Sequence, residues 1–316
     1  MNAEQLPPHA LAPADVQLLG FPGPFTDWGV ALVRAALEAA GQTVATLGVG
    51  SAPSAAPAGT TRLWVGHGPI YQPPSSTLPT IVFLDNPADA LERLIADPAG
   101  THKLLGAMTQ TLAPLGAVLR KPDTLLIRPA DAASAASRIA DAIVPGAEPT
   151  APSPPPPAAA CGTLPDLARI TVDALLAPML ETVVSGTRQS FALPRECLMW
   201  QPNEPAPAVV DLTGPARPVF FGPYFQFLPG WWQVEIDLFF SNDVADASFA
   251  IEFFGEAIIK KIRFRPKRGG LFRASFTVNI EDPQIGMELR VWVERGTIEG
   301  WLGINRITFQ PSSPPG

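Results

Sequence analysis

The run "VPGAEPTAPSPPPPAAACG", residues 144–162, constrains this chain more than any other stretch, because it suits neither a helix nor a sheet. Each proline lacks an amide hydrogen, fixes its own φ and pushes the residue before it out of the helical region. With no apolar periodicity either, the run reads as an extended, semi-rigid spacer. A partner that reads PxxP segments is the other use of such a run, but no basic residue flanks it. Taking residues 146–162 as a linker divides the chain into a disordered N-terminus 1–15, a domain over 16–145, a connecting helix over 163–190, a second domain over 191–311 and a tail over 312–316.

A length of 316 residues and a hydrophobic content of 47% suffice for two packed cores. The formal charge of −7 offers no overall field for nucleic acid or an anionic membrane, so neither partner is expected. The N-terminus has no basic region followed by an apolar core, and no later segment approaches about 18 uninterrupted apolar residues. A cytoplasmic protein with no transmembrane segment is the expectation. Cys161 and Cys197 stand far from any ligand-like spacing, and His9, His67 and His102 are scattered. Two free thiols and no metal site follow.

Before the linker, apolar runs alternate with helical patterns. "ADVQLLGF", "TRLWVGHG", "TIVFLDNP" and "DTLLIRP" read as strands. "WGVALVRAALEAAG", "ADALERLIAD", "THKLLGAMTQTLAPLG" and "ADAASAASRIADAIV" read as helices. Such alternation implies a parallel sheet with crossover helices, an α/β domain. After the linker, "LPDLARITVDALLAPMLETVVSG" has helix spacing. The period then changes to two in "WWQVEIDLFF", "ASFAIEFFG", "AIIKKIRFRP", "GLFRASFTVNI", "MELRVWVERG" and "LGINRITFQP". Strands at such regular spacing, with turn signals between them, predict an antiparallel β-sandwich of jelly-roll type.

The order of several short pieces in residues 16–145 resembles the sulfotransferase branch of the P-loop fold. In "FPGPFTDW", Phe21, Pro22, Thr26 and Trp28 match that family's phosphosulfate-binding turn. Gly23 stands where its lysine belongs, and Pro24 and Phe25 replace serine and glycine. In "TIVFLDNPADALERL", Pro87, Asp89 and Leu91 match the strand and helix that hold the 3′-phosphate, but Asp85 replaces the arginine and Arg93 the serine. "LWVGHGP" keeps His67 of a Lys-x-His strand end without its lysine, and "DTLLIRPADAASAASRIADAI" resembles the closing strand and helix.

Phosphate binding needs exposed amides, positive charge and glycine where the backbone turns against the anion. Pro24 removes an amide, Phe25 adds bulk, and Asp27 and Asp85 add negative charge. Like charges a few ångströms apart repel by about 4 kcal/mol at an effective dielectric of 20. No cofactor is therefore expected at Gly23, Thr26, Asp85 and Arg93, and the turn serves equally as an ordinary strand-to-helix loop with Thr26 or Asp27 as cap. His67, at the end of a parallel strand, is the single weak catalytic candidate, beside its alternative as a buried hydrogen-bonded side chain. Asp85-Asn86-Pro87 serves as well to close a strand and cap the next helix.

"FFGPYFQFLPGWWQVEIDLFF", residues 220–240, resembles the opening of a carbohydrate-binding-like β-sandwich appended to bacterial polysaccharide-biosynthesis proteins. Gly222, Pro223, Tyr224, Leu228, Pro229 and Gly230 match, Trp232 replaces a tyrosine, and the resemblance spans residues 205–310. Sugar binding on such a sandwich uses aromatic faces and planar polar groups. Here those are Tyr224, Phe225, Trp231, Trp232, Trp292 and Trp301, with Gln226, Glu252, Arg290, Glu294 and Asn305 as polar partners, and core packing is the alternative for each aromatic. Alternation sets Trp231 and Trp232 on opposite faces. It sets Lys261, Arg263 and Arg265 on one face, a basic ridge suited to an acidic polysaccharide, lipid headgroup or acidic partner surface, or simply to a solvated strand.

The leading expectation is a non-catalytic pseudoenzyme: a scaffold or binding protein of bacterial polysaccharide or cell-envelope biosynthesis. Its jelly roll would bind carbohydrate or a glycan-biosynthesis enzyme. The competing expectations are a transferase with an unconventional phosphate site built on His67 and Arg93, and a purely structural assembly protein.

Overall fold

Short strands, buried in the middle of the sheet and half-exposed at its two edges, separated by helices with one apolar face, form the first unit. The computed structural model describes residues 15–48, 59–66, 78–94 (side chains to 92), 101–145, 154, 164–202, 204–244 and 246–314. The N-terminal segment 1–14, His67, Cys161 and, apart from Pro154, the linker 146–162 lie outside the described residues. By contacts the chain divides into Met1–Leu94 with Ala117–Ala160, and Ile95–Gly116 with Cys161–Gly316.

In the first unit, strands β1 (Asp15–Gly20), β2 (Val44–Gly48), β3 (Thr61–Gly66), β4 (Thr80–Phe83) and β5 (Thr124–Ile127) form one sheet in the order β2-β3-β1-β4-β5. Every pairing is parallel. The helices are α1 (Pro24–Ala39), α2 (Pro87–Leu94), α3 (Thr101–Leu119) and α4 (Ala132–Ile143), of which α3 lies mostly in the second unit. The central strand β1 buries Val16 and Leu18 on one face and Asp15 and Gln17 on the other, as a strand covered on both faces must. Beyond β1 the chain turns first to the β3 side and later to the β4 side. The carboxyl end of β1 is thus the topological switch point, where α/β sheets hold ligands.

The second unit opens with α5 (Asp166–Thr171), a π-helical turn at Val172–Leu176 and α6 (Ala177–Ser185), closed by Gly186 in the left-handed conformation at φ 75°. Its strands are β6 (Phe191–Leu193), β7 (Met199–Gln201), β8 (Glu204–Pro205), β9 (Val209–Asp211), β10 (Arg217–Phe220), β11 (Pro223–Phe225), β12 (Gly230–Phe240), β13 (Phe249–Phe254), β14 (Ile258–Phe264), β15 (Gly270–Ile280), β16 (Met287–Val293) and β17 (Trp301–Pro311). One sheet runs β15-β12-β17-β6, with β9 also on β17; the other runs β10-β16-β13-β14, with β11 also on β16. Early strands lie beside late ones: β6 by β17, β10 by β16, β12 between β15 and β17. That nested antiparallel order is a jelly roll.

Alternation produces the core. Trp232, Val234, Ile236, Leu238 and Phe240 of β12 are buried, as are Phe249, Ile251 and Phe253 of β13. Phe191, Phe227 and Phe309 stack with ring centres 4.8–5.7 Å apart. Trp232 donates its indole N–H to the Leu228 carbonyl at 2.9 Å, so its polar atom is satisfied inside.

Candidate functional site

The turn after β1 is closed by its own side chains. Gly23 has φ 136°, a conformation that favours glycine, so the position a lysine would need is one that a side chain strains. Pro24 occupies the first turn of α1. The Thr26 hydroxyl donates to the Phe21 carbonyl at 2.5 Å, and the Asp27 amide donates to the Gly23 carbonyl at 3.1 Å. Phe25 is buried, stacked on Trp28 at 5.3 Å and edge-on to Phe83 at 6.3 Å. The Phe25 ring thus belongs to the core under α1, and with glycine in place of the lysine and Pro24 offering no amide, a phosphosulfate donor does not fit these residues. Asp85 is buried two residues past the end of β4 and accepts from the Asn86 amide at 2.8 Å, while Asn86 accepts from the Ala88 amide at 2.8 Å and caps α2. Arg93 lies on α2, with its side chain outside the described residues.

In the second unit the "GPYFQF" segment distributes its rings in different directions. The Gly222–Pro223 peptide is cis, and Tyr224 takes φ 65°, unusual for a non-glycine residue. Phe225 is buried against His102 of α3, with ring centres 5.2 Å apart, and Phe227 joins the sandwich core. Tyr224 turns outward, 50% exposed, and Gln226 is half-buried beside it. A cavity of about 590 Å³ adjoins this segment, lined by His102, Leu198, Met199, Tyr224 and Phe225 among others.

Tyr224 opens onto the outer face of the β10-β16-β13-β14 sheet. There register puts Glu252 of β13 opposite Arg290 of β16 and Lys261 of β14, Ala250 opposite Trp292 and Arg263, and Phe254 opposite Glu288. The Glu288 carboxylate, 2% exposed, accepts from the Tyr224 hydroxyl at 2.9 Å and Arg290 Nε at 2.7 Å, with a second contact from the same guanidinium. That guanidinium lies over the Phe254 ring, 4.1 Å from its centre. Glu252, also buried, accepts from Lys261 Nζ at 2.6 Å and from the Trp292 indole N–H at 2.9 Å. Glu294 accepts from Arg263 at 2.8 Å and Ser248 at 3.0 Å. Buried charge is tolerated here because every carboxylate is paired and hydrogen-bonded.

Several sequence-derived candidates therefore converge: Tyr224, Arg290, Trp292, Lys261 and Arg263 share one face, together with Glu252 and Glu294. The basic ridge is not a free positive surface. Lys261 and Arg263 are matched by Glu252 and Glu294, and Arg265 lies just past the end of β14. Hydrogen bonds from Arg263, Ser248 and Lys261's charge hold the Glu294 carboxyl below its ordinary range, and pairing with Glu288 raises Arg290. The Tyr224 hydroxyl is pushed up by its burial and by Glu288.

Other candidates lie elsewhere. Trp232 is fully buried, which leaves no ring face for a ligand. Trp231 is on the outer face of the opposite sheet, half-buried, as alternation from Trp232 requires. Trp301 begins β17 on that sheet and is 48% exposed. Glu288 escaped sequence reasoning, although its spacing from Arg290, two residues along one strand, is the signature of an ion pair on one sheet face. Among the described residues no group of three His, Cys, Asp or Glu side chains could hold a metal ion, and no helix is long and apolar enough to cross a membrane.

No family model matches the chain, and no curated protein matches it. Solved structures similar to part of it include the CBM36-1 domain of a multidomain xylanase from the hindgut metagenome of Trinervitermes trinervoides, at 12% identity and TM-score 0.23 over 33% of this chain and 78% of that one. Another is the C-terminal CBM6 of the marine laminarinase LamC from Zobellia galactanivorans, at 18% identity and TM-score 0.26 over 39% and 99%. A third is the CBM6cm-2 module of Cellvibrio mixtus lichenase 5A in complex with cellotriose, at 14% identity and TM-score 0.20 over 33% and 71%.

Proposed function

We propose that the second unit is a carbohydrate-binding module, and that its ligand meets the outer face carrying Tyr224, Arg290 and Trp292. One observation carries this reading: three planar groups are held in fixed orientation on an outward sheet face by carboxylates that are themselves buried. A phenol, a guanidinium and an indole offer ring planes for the C–H faces of a sugar and donors for its hydroxyls. Because Glu252 and Glu288 fix them beforehand, little side-chain entropy is lost on binding. Three carboxylates offset Lys261, Arg263 and Arg290, which favours a neutral glycan over an acidic one.

The first unit, in this reading, is a sulfotransferase-like fold whose phosphate turn has lost its lysine and one amide, at Gly23 and Pro24, and is closed by the Thr26 hydroxyl on the Phe21 carbonyl. It serves as a non-catalytic scaffold in polysaccharide or cell-envelope biosynthesis. Its support is the position of the closed turn at the switch point of the sheet.

A glycan array probed with the full chain tests the proposal. Neutral oligosaccharides should bind, and Trp292→Ala should weaken the best of them at least tenfold, about 1.4 kcal/mol. Binding confined to uronic acids, or unchanged in Trp292→Ala, would sink the assignment of this face. Calorimetry with adenosine 3′,5′-bisphosphate should show no heat; micromolar affinity would restore the transferase alternative.

A further inference from the structure

The opposite sheet carries a second uncovered aromatic surface. At one end of the β15-β12-β17 sheet, register aligns Leu271 of β15 with Phe239 of β12, Phe239 with Gly303 of β17, and Gly303 with Val209 of β9. This row crosses four strands on the outer face. Leu271 is 76% exposed, Phe239 38% and Val209 40%, and Trp301, two residues before Gly303 on the same face, is 48% exposed. Large apolar side chains grouped like this on a soluble surface mark a contact site.

Gly303 adds no side chain to this row beside Phe239. A Cβ there would fall 2.7 Å from the Ala208 carbonyl, 3.5 Å from Val209 Cγ2 and 3.7 Å from Phe239 Cβ, so the close approach of the segment leading into β9 requires glycine. Planar polar groups border the rings. On one side Asp237 is held by Arg273 through bonds of 2.6 and 3.1 Å, with Arg306 opposite it on β17. On the other side Asp211 lies opposite Trp301 and is fixed by the Thr213 amide at 2.8 Å.

We propose that this surface is a second glycan site, on the sheet opposite the first, with Phe239 and Trp301 as stacking rings and Asp211 and Asp237 as hydroxyl acceptors. The inference rests on the carbohydrate-binding reading above. The apolar row comprises four side chains, whereas a stable protein interface takes about 20–30 residues a side. Its size matches one or two sugar rings rather than a folded partner. With a site on each sheet, one chain engages two glycan strands, or two points of one polymer, and gains avidity without tighter individual contacts.

Calorimetric titration of the full chain with laminarihexaose, cellohexaose, xylohexaose and mannohexaose tests this. The wild type should bind two hexasaccharides per chain. Phe239→Ala/Trp301→Ala should bind one, Trp292→Ala should bind the other one, and Trp301→Phe should keep most of the affinity. A single site in the wild type, lost in Trp292→Ala and untouched in Phe239→Ala/Trp301→Ala, overturns the second site and leaves the first standing. No binding of any hexasaccharide, with near-UV circular dichroism intact, overturns both. Concentration-dependent dimers that Phe239→Ala/Leu271→Ser disperses would assign the surface to protein contact instead.

Discussion

Replacing Arg290 by methionine isolates the interaction on which the first proposed site depends. Methionine keeps most of the apolar stem but removes the guanidinium, which supplies Glu288 with its Nε bond at 2.7 Å and a second contact. Glu288 is 2% exposed and would retain one partner, the Tyr224 hydroxyl at 2.9 Å. Breaking a buried pair by removing one partner costs about 3–5 kcal/mol. The remaining Tyr224 bond and the 26% exposure of the Arg290 side chain, which admits water, bring the expected loss to the lower end, about 3 kcal/mol. For a unit of this size that is a fall in Tm of about 6–12 °C. Removing both charges, as Glu288→Leu/Arg290→Met, should cost far less than the sum of the single changes, because no charge is left stranded. Thermal unfolding followed by tryptophan fluorescence reports mainly the second unit, which holds Trp200, Trp231, Trp232, Trp292 and Trp301, against Trp28 and Trp64 in the first. If Arg290→Met lowers Tm by less than about 2 °C, or the double variant is additive, the pair is not a buried positioning device and the reasoning fails.

Other outcomes follow from particular residues. Gly29→Ala, which in an ordinary helix would gain stability, should instead cost about 1–3 kcal/mol by chemical denaturation, because its Cβ would overlap three ring carbons of Phe83. The tyrosine titration at 295 nm in a Tyr71→Phe background should show Tyr224 ionising above 10.0, and Glu288→Gln should bring that step down; the stability linked to this proton is present below pH 10 and lost as pH rises through the raised value. Glu294 and Asp237 are held below their ordinary 4.5 and 3.8 by hydrogen bonds from Arg263 and Arg273, so their contribution is present at neutral pH and lost as pH falls through the depressed values. Urea midpoints should thus decline below about pH 4, less steeply in Arg263→Gln/Arg273→Gln; an unaltered slope counts against the pairs. In a Cys161→Ser background the native protein should not react with Ellman's reagent at pH 8, because burial pushes the Cys197 thiol up to about 12.

Much of the architecture was legible from period alone. Runs such as "TIVF" between helical patterns determine a parallel sheet, since a crossover helix is the short route between parallel neighbours. Strict alternation in "WWQVEIDLFF" determines that Trp232 and Trp231 part company, because successive side chains of a strand leave opposite faces. One backbone property was equally local: Pro24 has no amide to give, and no neighbour can restore it. What the chain could not reveal was pairing across distance. Nothing local says that Glu252 meets Lys261 and Trp292, or that Glu288 takes both Tyr224 and Arg290, and so the basic residues read as a ridge when the folded sheet makes them half of a neutral lattice. The same holds for Phe239 and Trp301, 62 positions apart in numbering, which come to one end of one sheet face through the pairing of β12 with β17. Sequence fixes which face a side chain occupies, by backbone geometry; only tertiary structure decides which charges and rings share that face, because strand register is set by the core beneath.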